Sequence, residues 1–360
     1  MVRAAVATAA GEPVKVRHVV LPEVGAEQVR VRIEAVGVCH SDLSMVNGTL
    51  APKFPLILGH EAAGIVVEVG ERVTTAEPGD HVVINWAPAC RRCWWCLHGQ
   101  LHLCKQVEGV VATPGATGED GSTVYLEMGV GAMADEVVVA QDGVIPVDKA
   151  LPLDQAALLG CAVMTGAGAV LNAARVRPGE SVLVTGLGGV GLSAIAGAKL
   201  AGATQIIAMD TNPEKEAVAR RMGATDFVAA GEGSGKAIRA LAAGRGPDHG
   251  LDCVGIPATI RETWRTVRRG GQATIVGVGP ADAQVSFSPL ELFHFDRVLT
   301  SSIFGSGDPA RDVPVLAERI LRGQLDITPL ITDHIALDDV DAALNTLGTG
   351  ASVRSVVRPA

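Results

Sequence analysis

The sequence has few charged residues and lacks any excess of basic ones. Charged side chains make up 19% of the 360 residues and hydrophobic ones 48%, a balance that excludes a wholly disordered chain and supplies a large core. Lys and Arg number 30 and Asp and Glu 39, giving a formal net charge of -9. Sequence-independent nucleic-acid binding needs a basic face, so we expect no nucleic-acid partner. At roughly 100–200 residues per domain, the length predicts about two domains.

Targeting and membrane-spanning patterns are also scarce. Residues 1–11 (MVRAAVATAAG) carry one Arg and a short Ala-rich run, which is weaker than the apolar stretch of a signal peptide. The uncharged run Ser181–Ala198 contains five glycines and is followed directly by Lys199. A buried strand that continues into a buried helix explains this run better than a membrane span does. We therefore expect a cytoplasmic protein without a membrane partner.

Four of the seven cysteines lie close together in the sequence. An odd number of cysteines without a secretion signal argues against a disulfide framework. Short spacing between thiolates suits tetrahedral zinc, and four protein ligands leave no position open for substrate. An iron–sulfur cluster is the alternative, but there the third gap is usually short and ends in Cys-Pro, whereas here it spans seven residues. We predict a structural zinc site at Cys90, Cys93, Cys96 and Cys104.

Three further candidate ligands are dispersed. Cys39, His60 and Cys161 lie in the segments GVCHSD, GHE and GCAVMTG. Each has an ordinary explanation, because free cysteines are among the most buried residues and a His beside a Glu is commonly hydrogen-bonded. Spacing alone therefore leaves a second metal site open. We interpret the remaining Cys253, at the end of a predicted strand, as a buried packing residue.

A dinucleotide-binding pattern occupies the middle of the chain. Ser181–Thr185 (SVLVT) predicts a short parallel strand, and it is followed by the turn GLGGVG and an apolar helix, Leu192–Leu200. The first glycine permits a tight turn, the second lets the backbone approach a pyrophosphate, and the third allows close packing. The helix N-terminus supplies free N–H groups for phosphates. We assign cofactor contacts to Gly186, Gly188, Gly189, Val190 and Gly191.

The strand that follows indicates which coenzyme is used. Gln205–Met209 ends at Asp210, which lies 19 residues beyond Gly191. A carboxylate there binds ribose hydroxyls and repels a 2′-phosphate, so it favours NAD over NADP. Two more predicted strands, Gly250–Val254 and Ala273–Val278, complete an open, doubly wound sheet.

In this order, the motifs GHE, the four-cysteine lobe, GCAVMTG and GLGGVG resemble the zinc-dependent medium-chain alcohol dehydrogenases over essentially the whole chain. The resemblance implies an α/β fold. A Rossmann NAD-binding domain with a doubly wound parallel sheet would span 162–303, and a β-rich GroES-like catalytic domain would span 1–161, with 304–360 returning to it. It also implies two zinc ions per chain. The catalytic zinc would be held by Cys39, His60 and Cys161, which leave one position open.

The resemblance further implies roles for residues around the catalytic zinc. Asp42 would orient the His60 ring. Glu61 would lie behind the metal, and Ser41 would take the proton of the alcohol. Ser44 stands where well-known animal members have a relay histidine, so we expect the proton to leave through water.

Coenzyme and substrate contacts follow in the same way. Thr165 would contact the nicotinamide, Lys215 the adenosine ribose and Arg354 the pyrophosphate. His40 replaces an Arg that often binds the pyrophosphate, which predicts a looser hold on the coenzyme. The substrate pocket would be lined by Leu50, Trp86, Val278 and Phe304.

The implied reaction is reversible hydride transfer between a primary alcohol, medium-chain or aromatic, and NAD, giving the aldehyde. Val82–Trp86 and Ser301–Gly305 also resemble glutathione- or mycothiol-dependent formaldehyde dehydrogenases, so a thiol-dependent enzyme is the alternative. A non-catalytic zinc- or nucleotide-binding regulator is a more distant one, because it would have no reason to keep all three dispersed ligands.

The resemblance also suggests a homodimer. Members of the family pair through the edges of their Rossmann sheets, for which Ala273–Val278 and Leu299–Phe304 are the candidates here. The long segment Gly109–Gly131 is typical of dimeric members, whereas shorter bacterial members are commonly tetramers.

Overall fold

The computed structural model describes residues 1–350 and 352–359. Its contacts divide the chain into two units. The β-rich unit comprises Met1–Ala162, Asp308–Gly323 and Ile331–Ala360, and the parallel-sheet unit comprises Val163–Gly307 and Gln324–Leu330. The sequence had placed the later change at residue 304 and had assigned the whole C-terminal segment to the β-rich part. The structure instead groups 324–330 with the parallel sheet, where Thr328–Leu330 contacts the helix that follows the glycine-rich turn.

The strands are short, and most are buried on at least one face. They are β1 Val2–Ala7, β2 Lys15–Val20, β3 Gln28–Gly37, β4 Leu56–Ile57, β5 Ala62–Val69, β6 His81–Ile84, β7 Ala112–Gly118, β8 Thr123–Glu127, β9 Glu136–Ala140, β10 Val144–Pro146, β11 Ser181–Thr185, β12 Gln205–Asp210, β13 Asp226–Ala229, β14 His249–Asp252, β15 Gln272–Ile275, β16 Val298–Ser301, β17 Asp333–Ala336 and β18 Ser355–Arg358.

The helices are concentrated in the second half of the chain. They are α1 His40–Val46, α2 Trp94–Leu97, α3 Leu153–Leu159, α4 Ala162–Gly168, α5 Gly189–Leu200, α6 Glu216–Met222, α7 Ser234–Leu241, α8 Pro257–Thr266, α9 Pro289–Phe295, α10 Pro309–Leu321 and α11 Val340–Gly348. Short 3-10 turns lie at Leu101–Leu103, Gln141–Gly143, Pro213–Lys215, Phe304–Ser306, Thr328–Leu330 and Leu337–Asp339, and a π-helical segment lies at Ala169–Ala174.

Two sheets form the β-rich unit. One is closed, in the order β1-β2-β7-β8-β4, and the other runs β10-β6-β5-β3-β18-β17 with β9 also pairing with β3. Along β3, Val29, Val31 and Ile33 point into the core while Arg30 and Arg32 lie more exposed, the period of two expected of a half-buried strand. Strand β18 pairs antiparallel with the end of β3, so the C-terminus reaches the segment that leads to the first dispersed cysteine.

The parallel-sheet unit has the strand order β13-β12-β11-β14-β15-β16, with every neighbouring pair parallel. This is the doubly wound order of a dinucleotide-binding sheet, and it confirms the predicted fold class. Strand β11 has the predicted bounds, whereas β14 and β15 end two and three residues earlier than predicted. The reason is a close backbone approach, because a Cβ on Gly277 would lie 2.3 Å from the carbonyl carbon of Val254.

The edge of this sheet is only partly as predicted. Strand β16 lies at one end of the strand order, so the candidate Leu299–Phe304 overlaps an edge. Ala273–Val278 is wrong as an edge, because β15 has β14 on one side and β16 on the other.

The helices are short compared with the width of a membrane. Within residues 1–350 and 352–359, no single helix is long and apolar enough to span one. A bent pair, Leu153–Leu159 with Ala162–Ala174, meets the criteria jointly on length and composition. Its side chains are largely buried inside the protein, Leu158 and Val163 completely.

Candidate functional site

The four clustered cysteines converge as the spacing predicted. Their sulfur atoms all lie within 4.8 Å of one another. The Cys93 and Cys96 sulfurs are 3.5 Å apart, and those of Cys90 and Cys96 are 4.0 Å apart. A tetrahedral zinc with Zn–S bonds of about 2.3 Å has sulfur–sulfur edges of about 3.8 Å. The donor set therefore fits a closed, four-coordinate zinc.

Backbone N–H groups prepare these sulfurs to bind a cation. The amide of Cys90 donates to Cys104 Sγ at 3.2 Å, and that of Cys93 donates to Cys90 Sγ at 3.4 Å. A hydrogen bond from the backbone N–H of Cys96 is the main reason that the pKa of Cys93 falls to about 6. Burial raises the pKa of Cys96 to about 12. A bound cation stabilises all four thiolates, including the one that burial disfavours.

The three dispersed ligands also meet, each placed by the end of an element. Cys39 caps the N-terminus of α1, His60 follows β4, and Cys161 follows α3. All three are buried, and one ligand atom from each lies within 4.8 Å of the others. His60 Nε2 is buried and has no hydrogen-bond partner in the protein. Two sulfurs and an unpartnered imidazole nitrogen fit a zinc ion that keeps one position open.

The pKa values of the two thiols in this trio shift in opposite directions. A hydrogen bond with Cys161 holds the pKa of Cys39 well below its usual range, and the nearby Arg354 guanidinium acts in the same direction. The same hydrogen bond, with burial, raises the pKa of Cys161. A cation held beside the two sulfurs would stabilise the thiolate form of both.

Two carboxylates approach the other ring nitrogen of His60. Its Nδ1 is hydrogen-bonded to Glu127 Oε1 at 3.1 Å and lies 3.3 Å from Asp42 Oδ1. The second oxygens accept backbone N–H groups, Asp42 Oδ2 from Cys39 at 2.6 Å and Glu127 Oε2 from Gly59 at 2.7 Å. Burial, and then the charge of Asp42, raise the pKa of Glu127 to about 8.

The sequence analysis missed Glu127. It lies at the end of β8, in the segment TVYLE, and is completely buried. The only indication in the sequence was an acidic residue at the end of a mostly apolar strand. Such a pattern does not show which side chain the residue contacts, so the sequence analysis assigned the His60 contact to Asp42 alone.

Glu61 and Arg354 lie together in the interior. Arg354 Nε is 3.1 Å from Glu61 Oε1, and Arg354 Nη1 donates to the carbonyl of Val38 at 2.8 Å. The other Glu61 oxygen accepts the N–H of Ala162 at 2.9 Å. Burial raises the pKa of Glu61 to about 7, although the Arg354 charge opposes the shift. The family resemblance implies that Glu61 lies behind the catalytic zinc and that Arg354 contacts the coenzyme pyrophosphate. Both roles stay predictions.

Other predicted residues surround the trio less closely. Ser41 Oγ lies 3.8 Å from Cys39 Sγ, and His40 beside it is exposed. The Trp86 ring stands nearly perpendicular to the His60 ring, with centroids 6.3 Å apart. Leu50 is half-buried and packs against the main core of the β-rich unit. Trp86 therefore supplies an apolar face near the candidate metal ligands.

In the parallel-sheet unit, the glycine-rich turn has the geometry that the sequence predicted. Gly186 has a φ of +88°, and a Cβ on Gly191 would lie 1.8 Å from the Gly186 carbonyl oxygen. A Cβ on Gly188 would meet nothing within 4 Å, so the backbone there faces open space. Gly189 and Val190 begin helix α5, whose first N–H groups point toward this turn. Such a turn fits a pyrophosphate.

Asp210 is the last residue of β12, and its side chain also hydrogen-bonds to the backbone of the glycine-rich turn. Its Oδ2 accepts the N–H of Leu187 at 2.7 Å and lies 3.3 Å from Lys215 Nζ. Its Oδ1 accepts the N–H of Asn212 at 2.9 Å. The carboxylate and the lysine predicted to bind ribose are thus neighbours, with Asp210 held by the backbone.

The remaining predicted residues belong to the same unit. Thr165 is half-buried on α4, and Cys253 is half-buried with its pKa raised by burial. Val278 is 76% exposed, whereas Phe304 is 7% exposed. Leu50 and Trp86 belong to the β-rich unit and Val278 and Phe304 to the parallel-sheet unit, and their assignment to a substrate pocket stays a prediction.

Known proteins resemble the chain along its whole length. Residues 25–149 match the family model described as an alcohol dehydrogenase GroES-like domain, and 189–322 match that of a zinc-binding dehydrogenase. The chain is 37% identical to an S-(hydroxymethyl)glutathione dehydrogenase from Paracoccus denitrificans, covering 99% of both proteins. It is also 37% identical to an alcohol dehydrogenase class-3 from Cereibacter sphaeroides, with the same coverage of both.

Solved structures are also similar to the chain over its whole length. An alcohol dehydrogenase zinc-binding domain protein from Burkholderia ambifaria superposes with a TM-score of 0.95 at 30% identity, over 100% of this chain and 99% of that one. A benzyl alcohol dehydrogenase from Acinetobacter calcoaceticus superposes with a TM-score of 0.93 at 26% identity and the same coverage.

Proposed function

Because the chain belongs to the zinc-dependent medium-chain alcohol dehydrogenase family, we propose that it transfers hydride reversibly between a primary alcohol and NAD, giving the aldehyde. The observation that carries the proposal is the buried trio Cys39, His60 and Cys161, whose imidazole Nε2 has no protein partner. Three ligands leave one position open, as a catalytic zinc requires.

Two cofactors would provide the chemistry, and the chain would hold and orient them. When bound, zinc supplies a Lewis acid and NAD a hydride acceptor. The trio would hold the catalytic metal, and the four-cysteine lobe would hold a second, structural one. The turn at Gly188 and the carboxylate of Asp210 would bind the coenzyme pyrophosphate and ribose.

A proton must leave when an alcohol is oxidised. We assign a relay role to the Ser41 hydroxyl, which lies beside Cys39: it takes the alcohol proton as it gives its own proton on to water. Ser44 is not a base near neutral pH, so the proton passes on through water. The indole of Trp86 places apolar surface 6.3 Å from the centre of the His60 ring.

The proposed substrate is a medium-chain or aromatic primary alcohol. Leu50 and Trp86 offer apolar surface, and the predicted contribution of Val278 and Phe304 is apolar too. Each methylene buried in such a pocket contributes about 0.8 kcal/mol, or roughly a fourfold gain in kcat/KM until the pocket is full. The similarity to a benzyl alcohol dehydrogenase supports this choice.

Thiol-dependent formaldehyde oxidation is the second candidate. The names of relatives from Paracoccus denitrificans and Escherichia coli favour it, because these proteins, 37% and 36% identical to the chain, are S-(hydroxymethyl)glutathione dehydrogenases. The two are separated by kcat/KM with NAD for hexanol and benzyl alcohol against formaldehyde plus glutathione or mycothiol. We expect the free alcohols to be preferred. Activity that requires the thiol, with negligible turnover of free alcohols, would establish the second candidate instead.

We also propose a homodimer formed through β16. Val298 and Leu299 on this strand are 52% and 38% exposed. An edge strand has unpaired backbone groups that a second strand can satisfy. Light scattering at micromolar concentration should give twice the mass of the chain, and a tetramer would contradict the proposal.

A further inference from the structure

The ring of His60 is contacted on its Nδ1 side by carboxylates from two separate elements, Asp42 on α1 and Glu127 on β8. We propose that Glu127 positions His60 for the metal, a role that the sequence analysis assigned to Asp42 alone. The proposal rests on the zinc site of the proposed function but not on its substrate.

Glu127 holds both the backbone and the ring at this position. Its Oε2 accepts the N–H of Gly59, directly before the ligand, and its Oε1 is 3.1 Å from His60 Nδ1. Gly59 has a φ of +97°, and a Cβ there would lie 2.6 Å from the Met133 backbone nitrogen. The backbone at Gly59 is therefore packed closely against Met133, and the Glu127 carboxylate holds the ring of His60, the next residue.

Asp42 makes a different main contact. Its Oδ2 is 2.6 Å from the backbone nitrogen of Cys39, while its Oδ1 has no hydrogen-bond partner. That oxygen lies 3.3 Å from His60 Nδ1, farther than Glu127 Oε1 and without hydrogen-bond geometry. The shortest contact of Asp42 is thus with the backbone of Cys39, whereas Glu127 makes the shorter of the two carboxylate contacts with the His60 ring.

The contact with Glu127 determines which nitrogen of the His60 ring is free to bind the metal. When Nδ1 carries a hydrogen and donates it to Glu127, the lone pair is on Nε2, which is the nitrogen without a protein partner. Such outer contacts fix both the tautomer and the ring orientation, and their loss typically weakens metal affinity about 10- to 100-fold.

A competing assignment makes Asp42, His60 and Glu127 a metal site themselves, since their ligand atoms also lie within 4.8 Å. One oxygen of each carboxylate already accepts a backbone N–H at 2.6 or 2.7 Å, which favours the positioning role. Metal counting separates the two, because the competing assignment requires a third ion per chain.

The test measures zinc release from the full-length, zinc-loaded protein into a chromogenic chelator. Glu127→Met removes both acceptors at similar side-chain length, and Glu127→Gln keeps an acceptor oxygen. Glu119→Met, an exposed acidic position on the turn before β8, is the matched control. The four-cysteine zinc serves as an internal standard, and cobalt substitution reports the geometry at the trio through its visible spectrum.

We expect Glu127→Met to release zinc from the trio about 10- to 100-fold faster, with an altered cobalt spectrum and unchanged release from the four-cysteine site. Glu127→Gln should release zinc at a rate between those of Glu127→Met and the wild type, because its single amide oxygen can accept only one of the two N–H groups. Glu119→Met should match the wild type. A wild-type rate and spectrum for Glu127→Met would overturn the proposal, and so would equal acceleration at both sites or a third metal ion in the wild type.

A second variant covers the case in which Glu127→Met does not fold, and metal analysis of the wild type tests the proposed function separately. If Glu127→Met does not fold, Glu127→Asp replaces it, since the shorter side chain withdraws the carboxylate from Nδ1; a wild-type release rate for Glu127→Asp would then overturn the proposal. Wild-type protein that binds only the four-cysteine metal would overturn the proposed function itself, a result visible before any variant is compared.

Discussion

Arg354 and Glu61 form an ion pair in the interior of the β-rich unit, 3.1 Å apart and with side chains 2% and 0% exposed. They come from opposite ends of the chain, and each also uses a backbone partner. A buried pair gains little net stability over apolar residues, but loss of one partner leaves an uncompensated charge.

Replacing Arg354 alone should therefore be costly. We expect Arg354→Met to lower the free energy of unfolding by about 3–5 kcal/mol, because the Glu61 carboxylate is left without its cation. The double variant Arg354→Met with Glu61→Gln should recover part of this loss. Urea unfolding of the metal-loaded proteins measures both, and a loss below about 1 kcal/mol for Arg354→Met would contradict the expectation.

Coenzyme choice should depend on the charge of Asp210. Asp210→Ser should raise the ratio of kcat/KM for NADP over NAD by about tenfold or more, since repulsion of a 2′-phosphate is removed. The same change also removes the acceptor for the Leu187 N–H, so it should destabilise the protein by about 1–3 kcal/mol.

Asp210→Asn is the control that separates these effects. It removes the charge but keeps an oxygen acceptor, so it should relax coenzyme choice with a smaller loss of stability. A wild-type enzyme that already prefers NADP would show that Asp210 has been assigned the wrong role.

The two proposed zinc sites should respond differently to loss of a ligand. Cys104→Ser opens the closed four-cysteine site and should impair folding, because metal binding there contributes directly to folding free energy. Cys39→Ser should give a folded protein that binds NAD but has no turnover. Metal analysis with circular dichroism checks this, and fully active wild type with a single zinc would be inconsistent with it.

Asp248 should make stability depend on pH. Burial raises its pKa, but hydrogen bonds from Ser181 and Arg268 outweigh this and lower it to about 2. Since the folded pKa lies below the ordinary value of about 3.9, its contribution is full above about pH 5 and is lost as the pH falls toward 2.

The variant Asp248→Asn measures that contribution. Its deficit in unfolding free energy should be constant above about pH 5 and should shrink between about pH 4 and 2. Comparing both proteins at each pH cancels effects common to them, such as loss of zinc in acid. Asp282→Asn, at an exposed position, is the control and should show little deficit. A deficit for Asp248→Asn that grows in acid would contradict the assignment.

The sequence by itself determined the features that depend only on residues close together along the chain. The four-cysteine lobe and the glycine turn are local, because their geometry follows from short spacing and from backbone freedom at Gly186. Strand β11 and the doubly wound class followed from the apolar run before that turn. The dispersed ligands needed the family resemblance, since spacing alone left them ambiguous.

The tertiary structure alone decided which distant side chains meet. Glu127 reaches His60 across 67 residues of sequence, and Arg354 reaches Val38 across 316. The position of β15 inside the sheet and the grouping of 324–330 with it are of the same kind. A single chain states which residues are apolar, charged or flexible, but contacts of this range depend on how whole sheets pair and pack, and no local pattern encodes that pairing.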